Sequence, residues 1–272
     1  MKQFFGFGGY GEPQGFLSWQ HILFVSIVMS AMVILAITLG LYYRKKEYKE
    51  KNKVLIWAAI LINSFELVKI VIGCIRAEDL RGCLIQLPLF LCSMQLFAIP
   101  VAAFSKGKVR DVAIDFVFLF GLLGGIMGTI GHAANYSVYP VLSFPNVVSA
   151  ATHSISGFAS IYLGFANMQS MKKENISRML VVLFGFCTMA YTVNVLIDYN
   201  FMFLMAGDGT PYDILYNMVN GSRVLYPVLV VGLFVLYIFV FYNVYFEIQR
   251  MVEKRHKTKN NVDGEAELLS QN

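Results

Sequence analysis

Seven long apolar runs, separated by short charged segments, divide this chain. Crossing a bilayer takes about 20 apolar residues, and each run reaches that length. The composition agrees: 57% of residues are hydrophobic, only 14% are charged, and the mean hydropathy is +0.60. A soluble domain carries roughly 25% charged residues. Folded in water, this chain would expose large apolar patches, which excludes a soluble enzyme. Lipid offers no hydrogen-bond partners, so the spans must be helices or a closed barrel. Continuous rather than alternating apolarity selects helices. The predicted spans are Trp19–Tyr43, Val54–Ile75, Ile85–Ser105, Val112–Gly131, Val147–Gln169, Met179–Met205 and Leu225–Ile248. The fold class is therefore all-α, a polytopic seven-transmembrane-helix bundle. Residues 1–18 form an N-terminal segment, 19–249 the membrane domain and 250–272 a charged tail expected to be disordered.

Sidedness follows from the cations. Of the 22 Lys and Arg residues, 17 fall in the first, third and fifth loops and the tail. Lys2, Arg76, Arg81 and Arg223 fall on the other side, and Lys69 lies inside the second span. The expectation is an integral membrane protein, of a bacterial plasma membrane, with its N-terminus outside and its C-terminus in the cytoplasm. The net charge of +5 then reads as loops facing anionic lipid, and no nucleic-acid partner is expected. No cleavable signal peptide is visible, because the first apolar run ends in a polybasic stop and reads as a retained helix. The cysteines Cys74, Cys83, Cys92 and Cys187 include no C-x-x-C pair, so neither a metal nor an organic cofactor is expected. Cys74 and Cys83 both lie near the outer face, and a disulfide between them stays open.

Polar side chains inside membrane helices are costly and face the bundle interior. The second span carries Asn63, Glu66 and Lys69 on one face, and the third carries Cys92 and Gln95. In the fifth, Ser149, His153, Ser156 and Ser160 share a stripe; in the sixth, Cys187, Tyr191, Asn194 and Asp198 do. These four spans are expected to line a polar cavity, with the first and seventh peripheral. Counting residues at 1.5 Å rise puts Cys92 and His153 both roughly 10 Å below the outer helix ends. Glu66, Lys69, Asn194 and Asp198 fall in the same outer half. The fourth span reads Gly121-x-x-Gly124-Gly125-x-x-Gly128, a helix-packing face with no chemistry of its own. His132, at its outer end, is either a gate or second base or a solvated loop histidine, the latter being the commoner case. His21 and His256 are assigned no role.

A thiol and an imidazole at one depth suggest nucleophilic catalysis. The thiolate is the reactive form of Cys, and an adjacent imidazole can take its proton while a third group orients the ring. Here the dyad would be Cys92 and His153, with Asp198 or Glu66 as orienter. Attack on an acyl ester would give a thioester. Gln95, Asn194 and Asn200 are the available donors for its oxyanion, and Lys69, Glu66 and Tyr191 would line the cavity. Inert packing of Cys92 and mutual neutralisation of Glu66 and Lys69 are the plainer alternatives.

Three stretches carry a resemblance: Leu87-Pro88-Leu89-Phe90-Leu91-Cys92-Ser93-Met94-Gln95, then Phe144-Pro145 with Ser149-Ala150-Ala151-Thr152-His153, then Asn194-x-x-x-Asp198-Tyr199-Asn200-Phe201-Met202 before Pro211. Together they resemble the YwaF family of bacterial integral membrane proteins, grouped with the eukaryotic transmembrane protein 164 acyltransferases, which have seven helices. The resemblance covers Glu66 to Pro211. It implies a Cys/His acyltransferase using membrane phospholipids and lysophospholipids, with Cys92 as nucleophile and His153 as its histidine. Asn200-Phe201-Met202 would be a family feature without an assigned role. This chain departs from family members that place His two residues before the Cys, Asp after it, or His five residues before the helix-five His. Phe90, Ser93 and Val148 stand there.

Two other classes compete. A small-solute transporter or ligand-binding membrane protein would use the same polar cavity, and would tolerate Cys92→Ser. A scaffold would be held by the helix-four glycines, and a homo-oligomer stays open. A retinal pump is disfavoured, since the seventh span has no Lys. Acyl donor, acceptor, and transfer against hydrolysis are not written in the sequence.

Overall fold

The computed structural model describes residues 2–130, 133–169 and 171–270, and His132 lies outside them. All regular structure among the described residues is helical. The principal helices are α1 (Trp19–Tyr43), α2 (Tyr48–Arg76), α3 (Gln95–Phe104), α4 (Gly107–Ile130), α5 (Phe144–Phe165), α6 (Lys173–Ile197) and α7 (Leu225–Ser270). The chain divides into two compact units, 1–230 and 231–272; the second is the continuation of α7.

Among the described residues, five helices are long and apolar enough to cross a membrane: α1, α2, the run Gly107–Val138, α6 and the Leu225–Lys254 part of α7. The expected third span is not one continuous helix. A short helix, Leu80–Leu84, is tied to the end of α2 by a Cys74–Cys83 disulfide. The backbone is then non-helical to Phe90, turns through a 3-10 segment at Leu91–Met94, and only then enters α3. Pro88 lacks an N–H and disfavours the α region at Leu87, so the helix breaks before it. The sixth span also ends early. Asp198 takes a left-handed conformation (φ 52°) and caps α6 at Ile197, whereas hydropathy carried the helix to Met205. At the other extreme, α7 continues as helix to Ser270, through residues expected to be disordered.

The fifth span is helical over 22 residues but too polar for the apolar five. Its place explains this. It packs on α4 most extensively, then on α1 and α2, so its polar stripe faces protein rather than lipid. The first span buries only His21, Val25, Met32, Ala36 and Gly40, a single stripe, in keeping with the peripheral place expected of it. Gly157 of α5 sits where a Cβ would meet Met32 of α1 and the Gly125 backbone of α4. The core joins Leu55, Ala59 and Ile62 of α2, Ile99 of α3, Val117 of α4 and Tyr162 and Leu163 of α5. Helices in lipid associate by packing rather than by the hydrophobic effect.

The Lys- and Arg-rich loops gather at one end. There Tyr162 donates to the Lys51 carbonyl (2.9 Å), Asn52 to the Ala103 carbonyl (2.7 Å), and Lys172 pairs with Asp111 (3.3 Å). Buried Asp115 accepts from the Met171 N–H (2.8 Å) and from Asn175 (2.6 Å), which fastens the start of α6 to α4. At the opposite end Arg76 donates to Tyr10 (2.6 Å), and Gln14 accepts from the Val141 N–H (2.8 Å). The disulfide belongs to this second end.

Candidate functional site

Cys92 stands in the 3-10 turn, on backbone that has left regular helix within the apolar region. Irregular backbone at membrane depth is tolerated only where protein buries it or a cavity is lined by it. What holds the turn is the segment after α6. Phe90 packs edge-on against Phe201 (centroids 5.4 Å) and against Phe203 (6.1 Å). Those two rings belong to a second 3-10 turn, Phe201–Phe203, in which Met202 and Phe203 have φ of 59° and 55°. Left-handed φ is uncommon for bulky residues and persists only where the surroundings impose it. Asn194 imposes it here. Its amide donates to the Phe201 carbonyl (2.9 Å), and its oxygen accepts from the Phe201 N–H (2.6 Å). Asn200 likewise accepts from Met205 N–H (2.8 Å) and donates to the Ala206 carbonyl (2.7 Å).

These bonds redirect two sequence expectations. Asn194 and Asn200, read as oxyanion donors, have their amides engaged by the 200–206 backbone. They position Phe90, and through it Cys92. Asp198, read as an orienter of His153, does not join them. Its side chain is fully exposed and lies 3.7 Å from Arg81, which also donates to the Ile197 and Asp198 carbonyls. Tyr191 donates to the Arg223 carbonyl (3.1 Å) instead of lining a cavity with the acids.

His153, half-buried on α5, and Cys92 meet a common surface, the glycine face of α4. A Cβ at Gly128 would fall on the His153 imidazole. A Cβ at Gly124 would lie 3.7 Å from the Cys92 Cβ and 3.6 Å from Ser156 Oγ. Gly124 and Gly128 are one turn apart, about 6 Å along the axis. The thiol and imidazole residues therefore occupy neighbouring positions along one groove. Ser156 and Ser160 follow on the same face and donate to the Gly121 (3.5 Å) and Phe118 (2.5 Å) carbonyls. The sequence shows this glycine run plainly; what it conceals is that α4 faces both Cys92 and His153.

Gln95, three residues past Cys92, is fully buried, and neither its amide nitrogen nor its oxygen has a hydrogen-bond partner among the described residues. A buried amide without hydrogen bonds is expensive. Glu66, buried on α2, pairs with Lys69 at 2.5 Å. Cys187 is buried. His21, assigned no role from sequence, is buried between Phe16 and Tyr136, where its Nδ1 accepts from the Leu17 N–H. No three His, Cys, Asp or Glu side chains gather as a metal set among the described residues.

Fold and site together define a polytopic helical membrane protein in which a thiol and an imidazole residue meet one glycine face of α4. Within that class the chain belongs to the TMEM164 family, whose model matches residues 16–245. No curated protein and no solved structure matches it.

Proposed function

We propose that this protein is a membrane-embedded acyltransferase that moves fatty-acyl chains between phospholipid and lysophospholipid through a thioester on Cys92. The observation that carries the reading is the shared α4 groove, along which Cys92 and His153 sit one helix turn apart. His153 takes the Cys92 proton as Sγ attacks the ester carbonyl. Collapse of the tetrahedral intermediate breaks the acyl carbon–oxygen bond, and His153 returns the proton to the departing lysolipid oxygen. In the second half, an acceptor hydroxyl loses its proton to His153 and attacks the thioester carbonyl. Cys92 leaves and is reprotonated. Gln95 Nε2 is the donor for the oxyanion in both halves. No cofactor enters the scheme. The site lies in the half of the bilayer away from the Lys- and Arg-rich loops, which the positive-inside rule assigns to the outer leaflet.

The pairing of buried Glu66 with half-buried Lys69 is the one observation favouring a second reading, a carrier of a small polar solute. Intact mass of the purified protein after incubation with mixed phospholipids separates the two. The acyltransferase reading expects a fatty-acyl adduct that hydroxylamine removes, absent in Cys92→Ala and slow to form in His153→Ala. A wild-type protein with no adduct and no lipid turnover would remove the enzyme reading. Solute uptake that survives Cys92→Ser would replace it with the carrier.

A further inference from the structure

We propose that a crevice between α3, α4 and α6, lined by neither Cys92 nor His153, binds an anionic glycerophospholipid from the leaflet on the Lys- and Arg-rich side. The crevice has a volume of about 630 Å³, within the range of roughly 300–1,000 Å³ typical of ligand sites. Its walls are apolar: Phe97 and Val101 of α3, Val112 and Phe116 of α4, Val182 and Phe186 of α6. Phe97, Val101 and Val182 are exposed, so it opens sideways to the bilayer.

Only one end is charged. Lys108 and Arg178 line it where the cation-rich loops gather. Among the described residues neither pairs with a carboxylate. Two nearby acids are already occupied, Asp111 by Lys172 and Arg110, and Asp115 by Met171 and Asn175, and exposed Glu174, one turn before Arg178, forms no ion pair with it among the described residues. Arg178 donates only to the Asn175 amide oxygen (3.3 Å). The other end reaches Met189 and Met94, the last residue of the turn that holds Cys92. From Arg178 to Met189 the helix rises about 16 Å at 1.5 Å per residue. That is about half the ~30 Å hydrocarbon core, the depth of one leaflet. Two cations at the interface above one leaflet's depth of apolar wall fit a phosphate and its acyl chain. Basic pockets between membrane helices recognise anionic head groups in this way.

The inference rests on the crevice alone and requires no chemistry at Cys92. The test uses the full chain in neutral detergent, incubated with dioleoyl phosphatidylglycerol or dioleoyl phosphatidylcholine. Lipid retained per protein after gel filtration is then counted by native mass spectrometry. Wild type should retain the anionic lipid about tenfold better than the zwitterionic one. Lys108→Gln with Arg178→Gln should abolish that preference, whereas Lys45→Gln with Lys49→Gln, the same charge loss on the same side, should leave it intact. Val182→Trp, which fills the crevice, should reduce retention of both lipids. Equal retention of the two lipids by wild type would overturn the proposal, as would an equal loss in the control pair. Full retention in Val182→Trp would place the lipid outside the crevice and overturn it too.

Discussion

Gln95 separates the needs of the fold from those of the chemistry. Its amide is buried and without a partner among the described residues, so the folded chain gains nothing from it. Replacing such a group by an apolar one of similar shape is neutral or stabilising. Gln95→Leu should therefore keep or raise the thermal midpoint in detergent. If Nε2 serves the oxyanion, the same change lowers the acyl-adduct rate by about 10²–10³-fold. A drop in midpoint with full activity would assign Gln95 to the fold. The α4 glycines give a second contrast. At Gly124 a methyl meets ordinary contacts of 3.6 and 3.7 Å, so Gly124→Ala should be tolerated. At Gly128 it strikes the His153 ring, and displacing a reacting group by about 1 Å can cost 10²-fold in rate. Gly128→Ala should lose that much in adduct formation and some stability. The stability loss should vanish in the His153→Ala background, where the clashing ring is gone. Unchanged coupling between the two positions would show that they do not touch.

At the scale of elements, legibility depended on what the signal was. The apolar run predicted α1 to its termini, Trp19–Tyr43, because both ends are marked: Ser18 caps one and the Arg44 cluster stops the other. Third-span hydropathy could not distinguish a full crossing from a broken one, since a buried non-helical segment is as apolar as a helix. Pro88 was the visible warning. The end of α6 was hidden for a different reason. Asn194 and Asn200 look like free polar donors in sequence, and only the folded loop shows that backbone groups use them. Their role is to carry the Phe201–Phe203 turn against Phe90. Asn194→Ala leaves the Phe201 N–H and carbonyl without that partner, a cost of about 1–3 kcal/mol. The expected result is a lower thermal midpoint together with faster alkylation of Cys92 by a maleimide, as its turn loosens. A lower midpoint with unchanged Cys92 reactivity would confine Asn194 to its own loop.

At the scale of the whole molecule, two independent physical facts bear on sidedness. One is the cation bias, which puts the 44–53, 106–110 and 172–178 loops in the cytoplasm; the structure gathers those loops at one end through the Lys51, Ala103 and Asp111 contacts. The other is the Cys74–Cys83 disulfide at the opposite end. Disulfides persist in oxidising compartments and are rare in a reducing cytosol. Charge and redox chemistry have different origins, and both support the proposed orientation, with the disulfide end outside. Labelling of intact cells with a membrane-impermeant maleimide tests this directly. Without reductant, Cys74 and Cys83 should stay unlabelled; after treatment with an impermeant phosphine they should label fully. A cysteine placed at Ser105, in the cation-rich loop, should label only once the membrane is opened. Labelling of that cysteine in intact cells, with Cys74 and Cys83 protected until permeabilisation, would turn the protein over. It would also move the Lys108–Arg178 rim to the outer leaflet and leave the crevice facing a different pool of lipid.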